Sequence, residues 1–173
     1  MKKKFIVLAT LLIIIIGSIW LWNYFSLQQE LNSVIKEDHR NSGIDVSVHY
    51  SSYIIPNRLV YNLTSISASN RAADVFRVFL QFTEKMKRKN FDAVELEHNG
   101  KIKFIIDGDY FNQLGREYGF QNPIYTMRTF PSKLKNPDGT QAYSEWTGGW
   151  LGVLNKQMEH FNDFHKKWYI NDY

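Results

Sequence analysis

"FDAVELEHNGKIKFIID", Phe91 to Asp107, sets two runs of alternating residues around an Asn-Gly pair. How those runs pair decides whether the chain can build a sheet with one apolar face. A two-residue Asn99-Gly100 turn places His98 opposite Lys101, Leu96 opposite Lys103 and Glu95 opposite Phe104, mixing apolar and charged residues on each face, which a one-sided sheet disfavours. A three-residue loop, His98-Asn99-Gly100, places Glu97 opposite Lys101, Leu96 opposite Ile102, Glu95 opposite Lys103 and Val94 opposite Phe104. One face is then apolar, the other carries two opposite-charge pairs, and Gly100 falls where the loop needs a left-handed residue. The three-residue loop is the expected register, with Glu95 and Lys103 as solvent-facing neighbours.

Upstream of the hairpin, "SNRAADVFRVFLQFTEKMKRKN" spaces Val75, Phe76, Phe79, Phe82 and Met86 by three and four residues, the period of a helix. Asn70 is the expected cap, Asp74 suits the positive end, and Lys85, Lys87, Arg88 and Lys89 suit the negative end as solvated residues. Before it, "IDVSVHYSSYII" alternates Ile44, Val46, Val48 and Tyr50 as a half-buried strand. Pro56 and Asn57 interrupt the pattern, and "RLVYNLTSI" resumes it with Leu59, Tyr61 and Leu63. Downstream, "DGDYFNQLGREYGF" reads as a short helix with Phe111, Leu114 and Tyr118 inward and Gly119 at its end. Asp107 or Asp109 fits a helix cap better than a cation site. The chain thus runs strand, strand, helix twice over. The predicted fold is α+β, an antiparallel sheet built from two ββα units with helices on one face.

The N-terminus adds a second kind of structure. Lys2, Lys3 and Lys4 precede an uncharged run from Phe5 to Trp22 that spans about 27 Å as a helix, close to the hydrocarbon thickness of a bilayer. Trp20, Trp22 and Tyr24 mark its far end, where amphipathic rings favour the membrane boundary. No small-residue cleavage site follows, and with no cysteine in the chain processing at a lipidated cysteine is excluded. Residues 1–25 are therefore read as an uncleaved, single-pass anchor contacting lipid through residues 5–25. Its lysines hold the N-terminus in the cytoplasm and leave the rest outside, at a cell (inner) membrane.

Formal charge is +4, from 21 basic and 17 acidic residues. Setting aside the three anchor lysines leaves 18 against 17, so the basic character belongs largely to the anchor and argues against a nucleic-acid partner. "SLQQELNSVIKE", with Leu27, Leu31, Val34 and Ile35 on one helical face, continues the anchor as a juxtamembrane stalk over residues 26–42. Packing of that stripe on the chain's own domain is the simplest use for it. Residues 43–173 form the single extracytoplasmic domain, stabilised by its core alone because no disulfide is possible.

Residues 121–149 run through three prolines. They offer an edge strand over Ile124 to Phe130, a turn at Asn136 to Gly139, and the best candidate binding region. The last helix, Trp150 to Trp168, carries a seam of Leu151, Leu154, Met158, Phe161, His165 and Trp168. In "SEWTGGWLGVL" no phosphate-loop ending follows the glycines. Thr147-Gly148-Gly149 is expected to turn the chain into the helix while Trp150 docks in the core. Gly149 and Gly152, with Arg128, Lys133 and Lys135, compose the candidate partner or anion site, an acidic group being held at the helix start.

Glu159, His160 and Asp163 stand three and four residues apart, and Glu, His and Asp are donors suited to zinc or manganese. The spacing matches no demanding metal motif, and a solvated polar face explains it with less. No nucleophile elbow and no other catalytic constellation is present. No cofactor is implied. The expected function is a membrane-anchored, non-catalytic domain binding a protein or envelope component. The alternative is a small anchored hydrolase or metal-dependent enzyme using Glu159, His160 and Asp163.

Overall fold

Five strands form one sheet in chain order, and the computed structural model describes residues 2–146 and 150–172. β1 (Ile44–Ser51) and β2 (Ile55–Ile66) are antiparallel, as are β3 (Ala93–His98) and β4 (Lys101–Asp107). Between the two hairpins, α3 (Ala72–Met86) crosses over and returns the chain to the same edge, so β2 and β3 run parallel. This single parallel junction joins the two ββα units, a crossover that parallel pairing requires. α4 (Gly108–Glu117) closes the second unit. The architecture is α+β, with a mostly antiparallel sheet and a long C-terminal helix, α6 (Trp150–Trp168).

The core forms where the apolar strand face meets the helices. Val48, Leu59, Tyr61, Leu63, Val94, Leu96, Phe104 and Ile106 are buried in one cluster with Val75, Phe76, Phe79, Phe82 and Met86 of α3. Tyr61 packs edge-on to Phe79 and against Trp168, and Phe104 against Phe164, geometries that add to simple area burial. Gly108 and Gly115 permit close approach of α4. A Cβ on the first would meet Phe91 O at 1.7 Å and on the second Thr83 O at 2.2 Å.

The β3–β4 register differs from the expected one. His98 pairs with Lys101 around a two-residue turn, with Asn99 and Gly100 at φ 49° and 76°, as a type I′ hairpin demands. Glu97 then pairs with Ile102 but Leu96 with Phe104, so Lys103 is an extra residue in β4. That bulge resolves the mismatch that argued against the short turn: it moves Lys103 out of line and lets Val94, Leu96, Phe104 and Ile106 share the core face. Glu95 consequently faces Ile105, is only 5% exposed and lies 3.5 Å from Arg58. Lys103 bonds Asp172 at 2.9 Å instead.

Three local expectations are also corrected. The β1–β2 reversal falls at Ser52 and Tyr53, with positive φ, and Pro56 lies inside β2. α3 is entered through Arg71, whose N–H donates to Asp74 at 2.8 Å, while Asn70 turns back to donate to Ser42 O. Ile124 to Thr129 are helical: Asn122 accepts from the Ile124 N–H and Pro123 opens α5 (Pro123–Thr129), a start that favours helix over strand. The edge position is taken by β5 (Leu134–Lys135), paired with β4.

α1 (Lys2–Asn23), a π turn (Tyr24–Gln28) and α2 (Gln29–Glu37) form one continuous helix of 36 residues, long and apolar enough to cross a membrane. No residue of its apolar window is buried. Residues 26–42, expected as a stalk, place Leu27, Leu31 and Val34 in the core cluster. The π turn adds one residue to the helical repeat and so rotates this stripe by about 100° relative to α1.

Candidate functional site

Arg128 leaves the last turn of α5 and donates from Nε to Gln157 Oε1 of α6 at 2.9 Å. The two helices therefore hold one wall of a cleft of about 320 Å³, whose other residues include Tyr110, Tyr125, Lys133 and Trp146. Lys133 follows α5 in a short 3₁₀ turn and stands 3.7 Å from Glu145. Tyr110 is buried enough that its phenol is pushed well above its ordinary pKa and stays protonated. The cleft combines a guanidinium and an ammonium with two carboxylates, Glu117 and Glu145, and with the rings of Tyr110, Tyr125, Trp146 and His160. In this mixed lining Lys133 is already engaged by Glu145, and Arg128 is the cation that can meet a partner carboxylate.

Of the residues expected to act together, Arg128 and Lys133 share this cleft. Lys135 does not: it sits on β5, bonds Asp107 at 2.6 Å and lines an adjoining hollow that Lys133 also borders. Gly152 is exposed on α6, and among the described residues nothing approaches within 4 Å of a Cβ built there. Gly148 and Gly149 fall outside the described residues, as does the expected docking of the Trp150 side chain. Leu151, placed on the apolar seam, is 69% exposed, whereas Phe161, Phe164, His165 and Trp168 are buried. The seam therefore meets the core from Met158, partly buried against it, and is fully buried from Phe161 onward.

Glu159, His160 and Asp163 each have a separate partner. Glu159 accepts from Lys156 at 2.7 Å, which holds its pKa down. His160 Nε2 accepts from the Trp146 indole at 3.3 Å. For Asp163, partial burial opposes ionisation, but bonds from Lys167 and the Tyr143 hydroxyl outweigh it and the pKa is lowered. Among the described residues no three His, Cys, Asp or Glu side chains converge as a metal site. His165 donates or accepts at Nδ1 with the Tyr169 hydroxyl, 3.0 Å away, as one polar partner within a seam implies.

Two polar residues escaped the sequence reading. Asn23 accepts from the Tyr50 N–H and donates to Tyr53 O, both at 2.8 Å. Gln28 accepts from the Val48 N–H at 2.8 Å and donates to Val46 O. They stitch the helix to β1 directly beyond the apolar run. The signal available for them was position: amide side chains where the apolar run ends, five residues apart. Comparison of this chain with known protein families, with curated proteins and with solved structures returns no match.

Proposed function

We propose that this protein is a single-pass membrane-anchored domain, standing outside the cytoplasm, that binds a protein or envelope partner through the cleft between α5 and α6. The observation that carries the reading is the division of one helix into two environments. Phe5 to Trp22 turn apolar side chains outward while Leu27, Leu31 and Val34 are buried in the domain. An exposed apolar helix of this length finds its natural solvent in lipid. The basic start at Lys2, Lys3 and Lys4 supports a cytoplasmic N-terminus. Arg128 and Lys133 supply the recognition chemistry, since a guanidinium held by Gln157 keeps donors available for a partner carboxylate.

The test is a photo-crosslinker at Tyr125, on the cleft rim, in membranes bearing the full chain. One dominant adduct is expected, reduced at least about tenfold by Arg128→Glu, as loss of a charge-assisted contact allows. Lys101→Glu, remote from the cleft, should leave it unchanged. Equal adduct yields from both variants would remove the cleft from the reading.

A further inference from the structure

The turn joining β1 and β2 carries a large side chain on a backbone conformation that disfavours it. Ser52 and Tyr53 have φ of 51° and 64°, a left-handed conformation that glycine or asparagine adopts far more readily than tyrosine. Tyr53, Ile54 and Ile55 are 49%, 59% and 39% exposed. Consecutive large apolar residues on an exposed tip point to a surface that covers them. Tyr53 is held there from both ends: its carbonyl accepts from Asn23, and its ring stacks on His49 at 4.2 Å.

The contacts of the helix say which surface lies at that tip. Moving outward from the span, Asn23 meets Tyr50 and Tyr53, Gln28 meets Val46 and Val48, and the Val34 carbonyl meets Asn41. β1 therefore runs back toward the bilayer end of the helix, and its turn lies level with the last residue of α1. Trp22, at the edge of the apolar run, packs its ring 4.6 Å from that of Tyr50. The Tyr50 hydroxyl in turn accepts from Lys89 at 3.3 Å, in the loop after α3. Arg88 beside it is exposed, whereas Lys87 is engaged by Glu84.

We propose that the β1–β2 turn is a second membrane contact of this chain. Tyr53, Ile54 and Ile55 enter the headgroup layer of the leaflet from which α1 emerges, and Arg88 and Lys89 face anionic headgroups beside them. This rests on the reading of α1 as a membrane span. Aromatic and aliphatic side chains at such a tip gain from the interface, and neighbouring cations gain from its negative potential. The domain then stands on the bilayer at two points, the helix and the hairpin, which fixes its tilt as one attachment cannot.

Because the chain has no cysteine, single spin labels can be placed without background. Full-length protein carrying Ile54→Cys, Ile13→Cys or Lys101→Cys is labelled in vesicles of phosphatidylcholine and phosphatidylglycerol. Collisions with oxygen and with a water-soluble nickel chelate are then compared. The oxygen-to-chelate ratio is expected to be highest at position 13, several-fold above Lys101→Cys at position 54, and lowest at position 101. A ratio at 54 equal to that at 101, with position 13 still protected, would overturn the tip contact and leave the span intact. Chelate access at position 13 would instead overturn the span itself. Protection of position 54 from both reagents would mean that protein covers the tip, which also overturns the inference. In phosphatidylcholine alone the ratio at 54 should fall, and an unchanged value would remove Arg88 and Lys89 from the contact.

Discussion

His165 shows how much a single buried group contributes to the behaviour of this domain. It is 1% exposed and ringed by Phe76, Phe161, Phe164 and Trp168, with the Tyr169 hydroxyl as its polar neighbour. Burial among these rings pushes its pKa down from 6.5 to about 3, because the charged imidazolium loses its hydration. The folded chain therefore keeps the ring neutral where the unfolded chain takes up a proton. Stability is full above pH 6.5 and declines as pH falls toward 3. Between pH 6.5 and 5 the loss is about 2 kcal/mol, at 1.36 kcal/mol for each pH unit crossed. His165→Gln is expected to remove that slope, read as urea midpoints of the full chain in detergent across this range. Parallel profiles for the two proteins would mean that the ring is not held neutral. The sequence already pointed to this residue, since a histidine at core spacing in an aromatic helix must be either desolvated or paired. Arg128 stands out in the sequence as a candidate, but its tie to Gln157 does not, because no local pattern links α5 to α6.

At the scale of elements, the hairpin carries the sharpest test, because its register sets which charges meet. Glu95 belongs to Arg58 and Lys103 to Asp172, so Glu95 and Lys103 should be energetically independent. A double-mutant cycle on Glu95→Gln and Lys103→Gln is expected to give a coupling below about 0.3 kcal/mol. Cycles on Glu95 with Arg58 and on Lys103 with Asp172 should each give about 0.5–1 kcal/mol, as partly exposed pairs do. A Glu95–Lys103 coupling of the latter size would restore the three-residue loop. Alternation located the four strands of the two hairpins, and the three- and four-residue spacings placed α3, α4 and α6. But Ile102, read onto the apolar face, is 40% exposed, and Glu95, read as solvent-facing, is buried. What alternation cannot show is a bulge, since one extra residue reverses the face of every position beyond it. Helix α5 was missed for a related reason. Seven residues are too few to display a period, so the capping by Asn122 and Pro123 carried the only signal.

At the scale of the whole molecule, the boundary between the exposed apolar helix run and the domain lies earlier than composition suggests. Read by sequence, the folded unit begins at Gly43, yet Leu27, Leu31 and Val34 are 0%, 1% and 3% exposed within the core. Burying three such side chains contributes about 5–9 kcal/mol, an upper figure because an unfolded chain already covers part of its apolar surface. Without the helix, the Tyr50 and Val48 N–H groups also lose their partners on Asn23 and Gln28. A chain that begins at Gly43 also lacks Asn41, which bonds the Val34 carbonyl, Gln81 and Arg77. A domain of this size has a total stability of about 5–15 kcal/mol, so removing the helix takes away a comparable amount. A soluble fragment of residues 43–173 is therefore expected to lack a cooperative urea transition and to bind a hydrophobic dye. One of residues 23–173, which drops nearly all of the apolar span but keeps Asn23, should unfold cooperatively. Equal midpoints for the two fragments would make the helix a passenger on the domain. The expected difference means instead that one continuous helix carries both the exposed apolar run and core residues, so that any force or tilt applied to that run reaches the sheet without a flexible joint between them.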